Sequence, residues 1–381
     1  MKKTINYGNH YISQDDILNV TRALKEKKIT QGHIVEKFEN KLNSFFKSKY
    51  TLAVSSGTAA LHLSMLSLNL AKKDKVITSP ISFLASANCV EYVGARVDFC
   101  DIDKNNYTMD PNLLEDKLKK DKNIKAAIIV DYAGHPAAWE DFLYIKKKYK
   151  IFLINDNCHA FGSKFNNSES YAIKYADIVT QSFHPVKQIT TGEGGAIITN
   201  NKNLYSKAKL LRSHGMIRNQ NKNNEPWFYS MNELGFNYRL PDINCALGIS
   251  QLKKIHIFIK KRRQIADIYK KNLLLDCIKL PKNDKNIFHS HHLYPVEINF
   301  QRLKIDKKTF FKKMMKQNIN LQVHYIPIHL QNYYRKKYGF KKGDFKIAEN
   351  FYKNEVSLPI YYTLTEKQQY RVINLIKKIL K

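Results

Sequence analysis

The sequence predicts an α/β protein: a large, mostly parallel sheet domain with helices on both faces over residues 1–259, and a smaller C-terminal α/β domain over residues 260–381. Three observations predict it. Short apolar runs alternate with amphipathic stretches from the N-terminus to about residue 200. The runs recur every roughly 20–30 residues, the length that a helical crossover between parallel strands requires. The chain has 381 residues with 43% apolar content, enough for a sizeable core in more than one unit.

Taken in order, Ser13-Gln14-Asp15-Asp16 has the form of a capping box and opens an amphipathic stretch that runs to Lys27. The candidate strands are Thr51–Val54, Val76–Thr78, Val97–Phe99, Ala126–Val130, Phe152–Asn155, Asp177–Ser182 and Ala196–Thr199. Each is a brief β-branched or apolar run between turn-forming residues. Pro241 to Ile259 has a helical pattern, and beyond it Leu293–Asn299 and Leu321–Tyr325 read as strands of the second domain. The Asn- and Lys-rich loop from Arg218 to Pro226 is the expected mobile segment.

The 64 Lys and Arg against 33 Asp and Glu give a formal charge of +31, which raises nucleic-acid binding as a competing class. The pattern argues against it. Lysines fall as doublets and triplets along the chain, as at Lys72-Lys73, Lys146-Lys147-Lys148 and Lys377-Lys378, and not in one stripe. Such a field still attracts an anionic small molecule. No apolar run approaches the ~18 residues of a membrane span, and Met1-Lys2-Lys3 is followed by none, so a soluble cytoplasmic protein is expected, with no membrane partner. The five cysteines form no C-x-x-C pair and read as reduced core residues. His289-Ser290-His291-His292 has no neighbouring acid or cysteine, so no metal is expected there.

The chemistry centres on Lys187, in the run Ser182-Phe183-His184-Pro185-Val186-Lys187-Gln188-Ile189-Thr190-Thr191-Gly192-Glu193-Gly194-Gly195. A lysine amine is protonated near neutrality, a bias of roughly 4 kcal/mol against its nucleophilic form. Reaction with an aldehyde as a Schiff base removes that obstacle. Ser182 and Lys187 follow a strand end, where open α/β sheets bind ligands.

Four further segments accompany the lysine. Ser55-Ser56-Gly57-Thr58 follows a strand and opens a helix, and serves either as a plain cap or as a phosphate cradle. Asp156 and His159 stand at another strand end, where a buried carboxylate needs a cation or hydrogen bonds; a cap for the next turn is the alternative. Phe83 is a core residue or an aromatic plate for a flat ring. Asn237, in Gly235-Phe236-Asn237-Tyr238-Arg239, is a turn residue or a phosphate donor. Together, phosphate donors, an acid for a pyridinium, an aromatic plate and a Schiff-base lysine describe a site for pyridoxal 5'-phosphate.

The order of these segments, with Asn6-Tyr7, Lys28-Ile29-Thr30-Gln31-Gly32, Thr78-Ser79-Pro80, Val130-Asp131-Tyr132-Ala133-Gly134, Arg212-Ser213-His214-Gly215 and Gln322-Val323-His324-Tyr325, resembles the DegT/StrS-type nucleotide-sugar aminotransferases over nearly the whole chain. The resemblance implies the fold-type I aminotransferase architecture and roles residue by residue. Lys187 would carry the cofactor as a Schiff base, Asp156 would pair with its ring nitrogen, and His159 would approach its phenolic oxygen or orient that acid. Phe83 would stack on the ring. Gly57, Thr58 and Ser182 would bind phosphate, joined by Asn237 from a second subunit, which implies a homodimer with composite sites. Tyr7, Lys27, Lys28, Ile29, Thr30, Ser56, Gln322, Val323, His324 and Tyr325 match positions that contact the nucleotide-sugar. The implied reaction passes an amine from L-glutamate, through pyridoxamine phosphate, to C4 of a UDP-linked 4-keto-6-deoxy sugar. A 4-keto sugar of the bacillosamine or perosamine type is the alternative. Some members carry His in place of the lysine and act as dehydratases; this chain keeps Lys187, which favours transamination. Many members have Glu and a small residue where this chain has Asn155 and Asn157 beside the acid.

Overall fold

The computed structural model describes residues 4–218, 225–282 and 284–380. Seven strands form the main sheet: β1 (Tyr50–Val54), β2 (Lys75–Thr78), β3 (Arg96–Phe99), β4 (Ile124–Val130), β5 (Phe152–Asp156), β6 (Ile178–Ser182) and β7 (Gly195–Thr199). Their spatial order is β1-β7-β6-β5-β4-β2-β3. The pairs from β3 through β6 are parallel, and β7 runs antiparallel to both β6 and β1.

Successive side chains on one strand enter different cores, which is the direct evidence that both faces are covered. Ala127 and Ile129 of β4 pack with Phe38, Leu42 and Trp139, from the helices His33–Phe46 and Trp139–Tyr149. Ala126 and Ile128 pack instead with Ala60, Leu63 and Val90, from the helices Gly57–Ser67 and Ala85–Tyr92. Continuous apolar strands are therefore stable only inside this three-layer arrangement. At the N-terminus, the Asp16 carboxylate accepts the Ser13 backbone N–H at 2.8 Å, the expected cap of the helix Gln14–Leu24.

A third core belongs to a smaller antiparallel sheet, β8 (Ile278–Lys279), β9 (Tyr294–Ile298) and β10 (Glu355–Leu358), with β9 central. Val296 and Val356 pack there against Phe310, Met314 and Ile373. The expected domain boundary after residue 259 falls inside one helix, Ile255–Asn272. Phe258 and Ile259 of that helix face the first core, whereas Ile265 and Tyr269 face the third. Ile5 also joins the third core, so the chain's first described residues pack with its last.

Two expectations are corrected. The helical stretch from Pro241 to Ile259 is two helices, Asp242–Leu252 and Ile255–Asn272, although no Gly or Pro stands at the break. The break lies where Gln251 and Lys254 both converge on the buried Asp16 carboxylate, at 2.8 and 2.7 Å. Leu321–Tyr325 is not a strand. It makes one bridge, Gln322 to Ser357, and the polar groups of His324 are then taken by side chains: its N–H by Glu355 and its C=O by the Tyr132 hydroxyl. Of the loop from Arg218 to Pro226, residues 219–224 lie outside the described residues. No helix among the described residues is long and apolar enough to cross a membrane.

Candidate active site

The C-terminal ends of β4, β5 and β6 open into a cavity of about 790 Å³. Lys187 reaches it from the turn after β6, where its backbone N–H donates to the His184 carbonyl at 2.9 Å. Burial lowers the Lys187 amine from the ordinary lysine value, opposed by the nearby Cys158 and Asp156. A neutral amine is thereby brought nearer to working pH, as nucleophilic and proton-transfer chemistry needs.

Asp156, the last residue of β5, is 5% exposed. One of its oxygens accepts the Ser86 hydroxyl at 2.8 Å and the other the Cys158 N–H at 3.3 Å. These bonds fix the carboxyl at the cavity wall. Behind it, the Asn157 amide donates to Asp131 at 2.8 Å and to the Tyr171 hydroxyl at 2.9 Å, and its carbonyl accepts from Gln181. The amide at position 157 is thus a satisfied strut beneath the acid.

His159 has a defined tautomer. Its Nδ1 faces the Ala133 N–H at 3.3 Å, which can only donate, so Nε2 carries the proton and donates to the Tyr325 hydroxyl at 3.0 Å. Burial, Lys187 and His324 hold this imidazole well below the ordinary histidine range. Of the two roles implied for His159, to approach the cofactor's phenolic oxygen or to orient the acid, the second has no direct bond behind it: among the described residues, its ring bonds run to Ala133 and Tyr325 and not to Asp156.

The helix Gly57–Ser67 begins at the same cavity. Ser56 caps the helix Gly57–Ser67, its hydroxyl accepting the Ala59 N–H at 3.0 Å, which leaves the first amides of the helix aimed outward. Gly57 permits a close approach: a Cβ there would lie 2.8 Å from Cβ of Ser182 and 3.2 Å from its hydroxyl. Thr58 and Ser182 line the same end. Phe83 is 57% exposed, yet it lines the cavity with its ring 6.2 Å from that of Tyr325, so a large apolar surface is left open to the cavity.

These residues fit pyridoxal 5'-phosphate on the chemistry of the donor set. An amine, a carboxyl, an aromatic plate and an anion cradle share one cavity wide enough for the cofactor and a substrate. Of the residues that the resemblance matched to nucleotide-sugar contacts, Tyr7, Ser56, Gln322, Val323, His324 and Tyr325 line the cavity. Lys27, Lys28, Ile29, Thr30 and Asn237 are not part of this chain's cavity lining. The former segment is exposed and docks on the helix Asp242–Leu252, where the Asp242 N–H donates to the Ile29 carbonyl at 3.0 Å. Asn237 pairs with Ser213 beside β1.

Sequence reasoning missed Ser86, Cys158, His184, Glu193, His292 and Gln331 as cavity residues. Ser86 lies three residues from Phe83, and Cys158 two residues from Asp156. The ring of His292 lies 4.6 Å from that of His159. No group of side chains among the described residues has metal-site geometry.

The sequence profile of the DegT/DnrJ/EryC1/StrS aminotransferase family matches residues 10–377. The chain is 39% identical over 368 residues to the UDP-4-amino-4,6-dideoxy-N-acetyl-β-L-altrosamine transaminase of Campylobacter jejuni, covering 95% of this chain and 94% of that one. It is 32% identical over 339 residues to the GDP-perosamine synthase of Escherichia coli O157:H7, covering 89% and 88%. Among solved structures it is similar to Helicobacter pylori PseC, an aminotransferase involved in the biosynthesis of pseudoaminic acid, with a TM-score of 0.92, 31% identity and 99% of each chain covered.

Proposed function

This chain belongs to the DegT/DnrJ/EryC1/StrS aminotransferase family, and from that premise we propose that it transfers an amino group from L-glutamate to C4 of a UDP-linked 4-keto-6-deoxy-N-acetyl hexose. The product would be UDP-4-amino-4,6-dideoxy-N-acetyl-β-L-altrosamine, used in pseudaminic acid biosynthesis. That the chain is a pyridoxal-phosphate-dependent nucleotide-sugar aminotransferase follows from the family itself. The observation that carries the finer reading is the similarity to the Campylobacter transaminase across 95% of the chain.

When bound, the cofactor supplies an aldehyde carbon and an electron-withdrawing ring that stabilises negative charge on the substrate carbon. The chain's own residues do the rest. Lys187 holds the cofactor and, when released, takes up and returns a proton at Nζ; its lowered proton affinity suits both directions. Asp156, fixed by Ser86, would pair with the ring nitrogen and favour its protonated form. Ser182, Thr58 and the first amides of the helix Gly57–Ser67 would hold the phosphate. Phe83 would cover the ring and exclude water. His159, through its proton on Nε2, fixes the Tyr325 hydroxyl so that the hydroxyl's own proton is free to point into the cavity.

The site is further proposed to be completed by a second copy of the chain. Asn237 and Lys27–Thr30 stand outside their own chain's cavity lining, and Trp227, Met231 and Leu234, near Asn237 in sequence, are 76%, 60% and 78% exposed. A two-fold dimer would cover that apolar strip and bring Asn237 to the partner's phosphate end.

Incubation with L-glutamate and a panel of UDP- and GDP-linked 4-keto sugars, followed by NMR of the product, tests the substrate. A 4-amino altrosamine product supports the reading. Amination only of a GDP-linked sugar would replace it with a perosamine-type activity, and amination of none of the sugars would overturn it.

A further inference from the structure

Glu355, the first residue of β10, is fully buried and does not line the cavity, yet it bonds to the cavity-lining His324. Its Oε2 accepts the His324 backbone N–H at 3.0 Å. Its Oε1 lies 2.5 Å from the Ser357 hydroxyl, and Ser357 Oγ lies 2.8 Å from Nδ1 of His324. His324 lines the cavity, and with Nδ1 occupied the ring nitrogen left for the cavity is Nε2.

We propose that Glu355 is a positioning residue: acting through Ser357, it decides which ring nitrogen of His324 carries the proton, and with it whether the cavity offers the sugar substrate an acceptor or a donor at Nε2. The argument rests on counting protons. A serine hydroxyl has one proton to give. When Glu355 is ionised, Ser357 gives that proton to Oε1 and must accept from Nδ1–H, which leaves Nε2 as a bare acceptor. When Glu355 is protonated, Oε2 is already taken by a backbone N–H, so the new proton sits on Oε1 and donates to Ser357. The hydroxyl then donates to Nδ1, and Nε2 carries the ring proton. The conversion balances: one proton enters at Nε2, the Nδ1 proton moves to Ser357, and the Ser357 proton moves to Glu355.

His324 itself stays neutral in both states, because burial and Lys187 push its imidazole down to about 3. Burial pushes the Glu355 carboxyl up to about 8. Facing that carboxyl are Ser357, Lys307 and the His324 N–H, which favour its charge, and Glu297, which opposes it. Tyr107 and Tyr132 stand nearby, both held protonated well above neutrality. The His324 ring faces Tyr7 at 5.2 Å, Tyr325 at 4.9 Å and the Lys187 amine.

The inference builds on the aminotransferase reading, and the test separates the two. Holoenzyme labelled with 15N-histidine is examined by magic-angle-spinning NMR, with His324 assigned by its loss in His324→Gln. Above the carboxyl's value of about 8, wild type should show Nδ1 protonated and Nε2 bare; below it, the reverse. Glu355→Gln should show the reversed pattern at every pH, because its amide oxygen must face the backbone N–H and its NH2 must donate to Ser357. Ser357→Ala, a smaller change in the same relay, should abolish the pH response of the His324 tautomer. In alkaline solution Glu355→Gln should raise the KM for the UDP-linked 4-keto sugar about tenfold, the effect of turning one polar contact from matched to opposed, while the half-reaction with L-glutamate keeps its rate. The same His324 tautomer in wild type and Glu355→Gln at alkaline pH, or an unchanged pH response in Ser357→Ala, overturns the proposal. Absence of amino transfer to any nucleotide-sugar by wild type would instead defeat the functional reading and leave the NMR outcome to decide the relay.

Discussion

The hydroxyl of Tyr325 and Nε2 of His159 meet at 3.0 Å across the cavity wall, joining the end of β5 to a segment 166 residues further along the chain. The bond ties the substrate-facing segment to the strand that carries Asp156. Because Nδ1 of His159 is committed to the Ala133 N–H, Tyr325 must accept this bond.

Tyr325→Phe therefore leaves the buried His159 Nε2–H without its acceptor. A loss of about 1–3 kcal/mol in stability is expected from thermal or denaturant unfolding. His159 is held neutral by burial and by Lys187, so an acidic limb of the pH–activity profile should sit at the same pH in wild type and variant. A limb displaced by the substitution would mean that His159 titrates in the working range.

Lys187→Ala should abolish turnover and the covalent attachment of the cofactor. Borohydride reduction of wild type followed by peptide mapping should label the peptide carrying Lys187. A pyridoxyl label on any other lysine would remove Lys187 from its assigned role.

Asp156→Asn keeps the side chain's volume; its amide oxygen can accept the Cys158 N–H and its NH2 can donate to the Ser86 hydroxyl, so the fold and cofactor binding should survive. The proton-transfer step should slow by about 10²-fold or more, as when a preorganised electrostatic group is removed from a site. Single-turnover absorbance with L-glutamate reads that step, and a near-normal rate would make the acid structural.

An inactive Lys187→Ala chain mixed with an inactive Asn237→Ala chain should recover activity in heterodimers. The subunit that keeps Lys187 would borrow Asn237 from its neighbour, so one site of two is intact. Heterodimers demonstrated by differential tagging that remain inactive would put Asn237 outside the partner's site.

Particular residues show why some of this was legible in the sequence. Apolar runs such as Ala126–Val130 and Phe152–Asn155 are strands because their own residues suit burial on both faces, and the spacing between them already encodes the crossovers. The Ser13–Asp16 cap and the Ser56 N-cap are local in the same sense, closing bonds over three residues. Lys187 stood out because a turn flanked by Ser182 and Gly192-Glu193-Gly194-Gly195 is unusual chemistry written in consecutive residues.

The remainder depended on groups far apart in the chain. Sequence periodicity made Leu321–Tyr325 a strand, but its backbone is held by the side chains of Tyr132 and Glu355, which no local pattern announces. The helix break at Lys253-Lys254 coincides with the contacts to Asp16, more than two hundred residues away in sequence. His292 enters the cavity because the segment leading into β9 bonds to the turn after β4, Ser290 N–H to the Gly134 carbonyl at 3.3 Å and Leu293 N–H to the Ala133 carbonyl at 3.2 Å, and the Nδ1 bonds of His159 and His324 are made to partners in that turn and in β10. The sequence by itself determined the strands of the main sheet and singled out Lys187, because those follow from short-range periodicity and composition. Only the tertiary structure decided which polar atoms face one another, because a hydrogen bond is set by position and direction in space and not by separation along the chain.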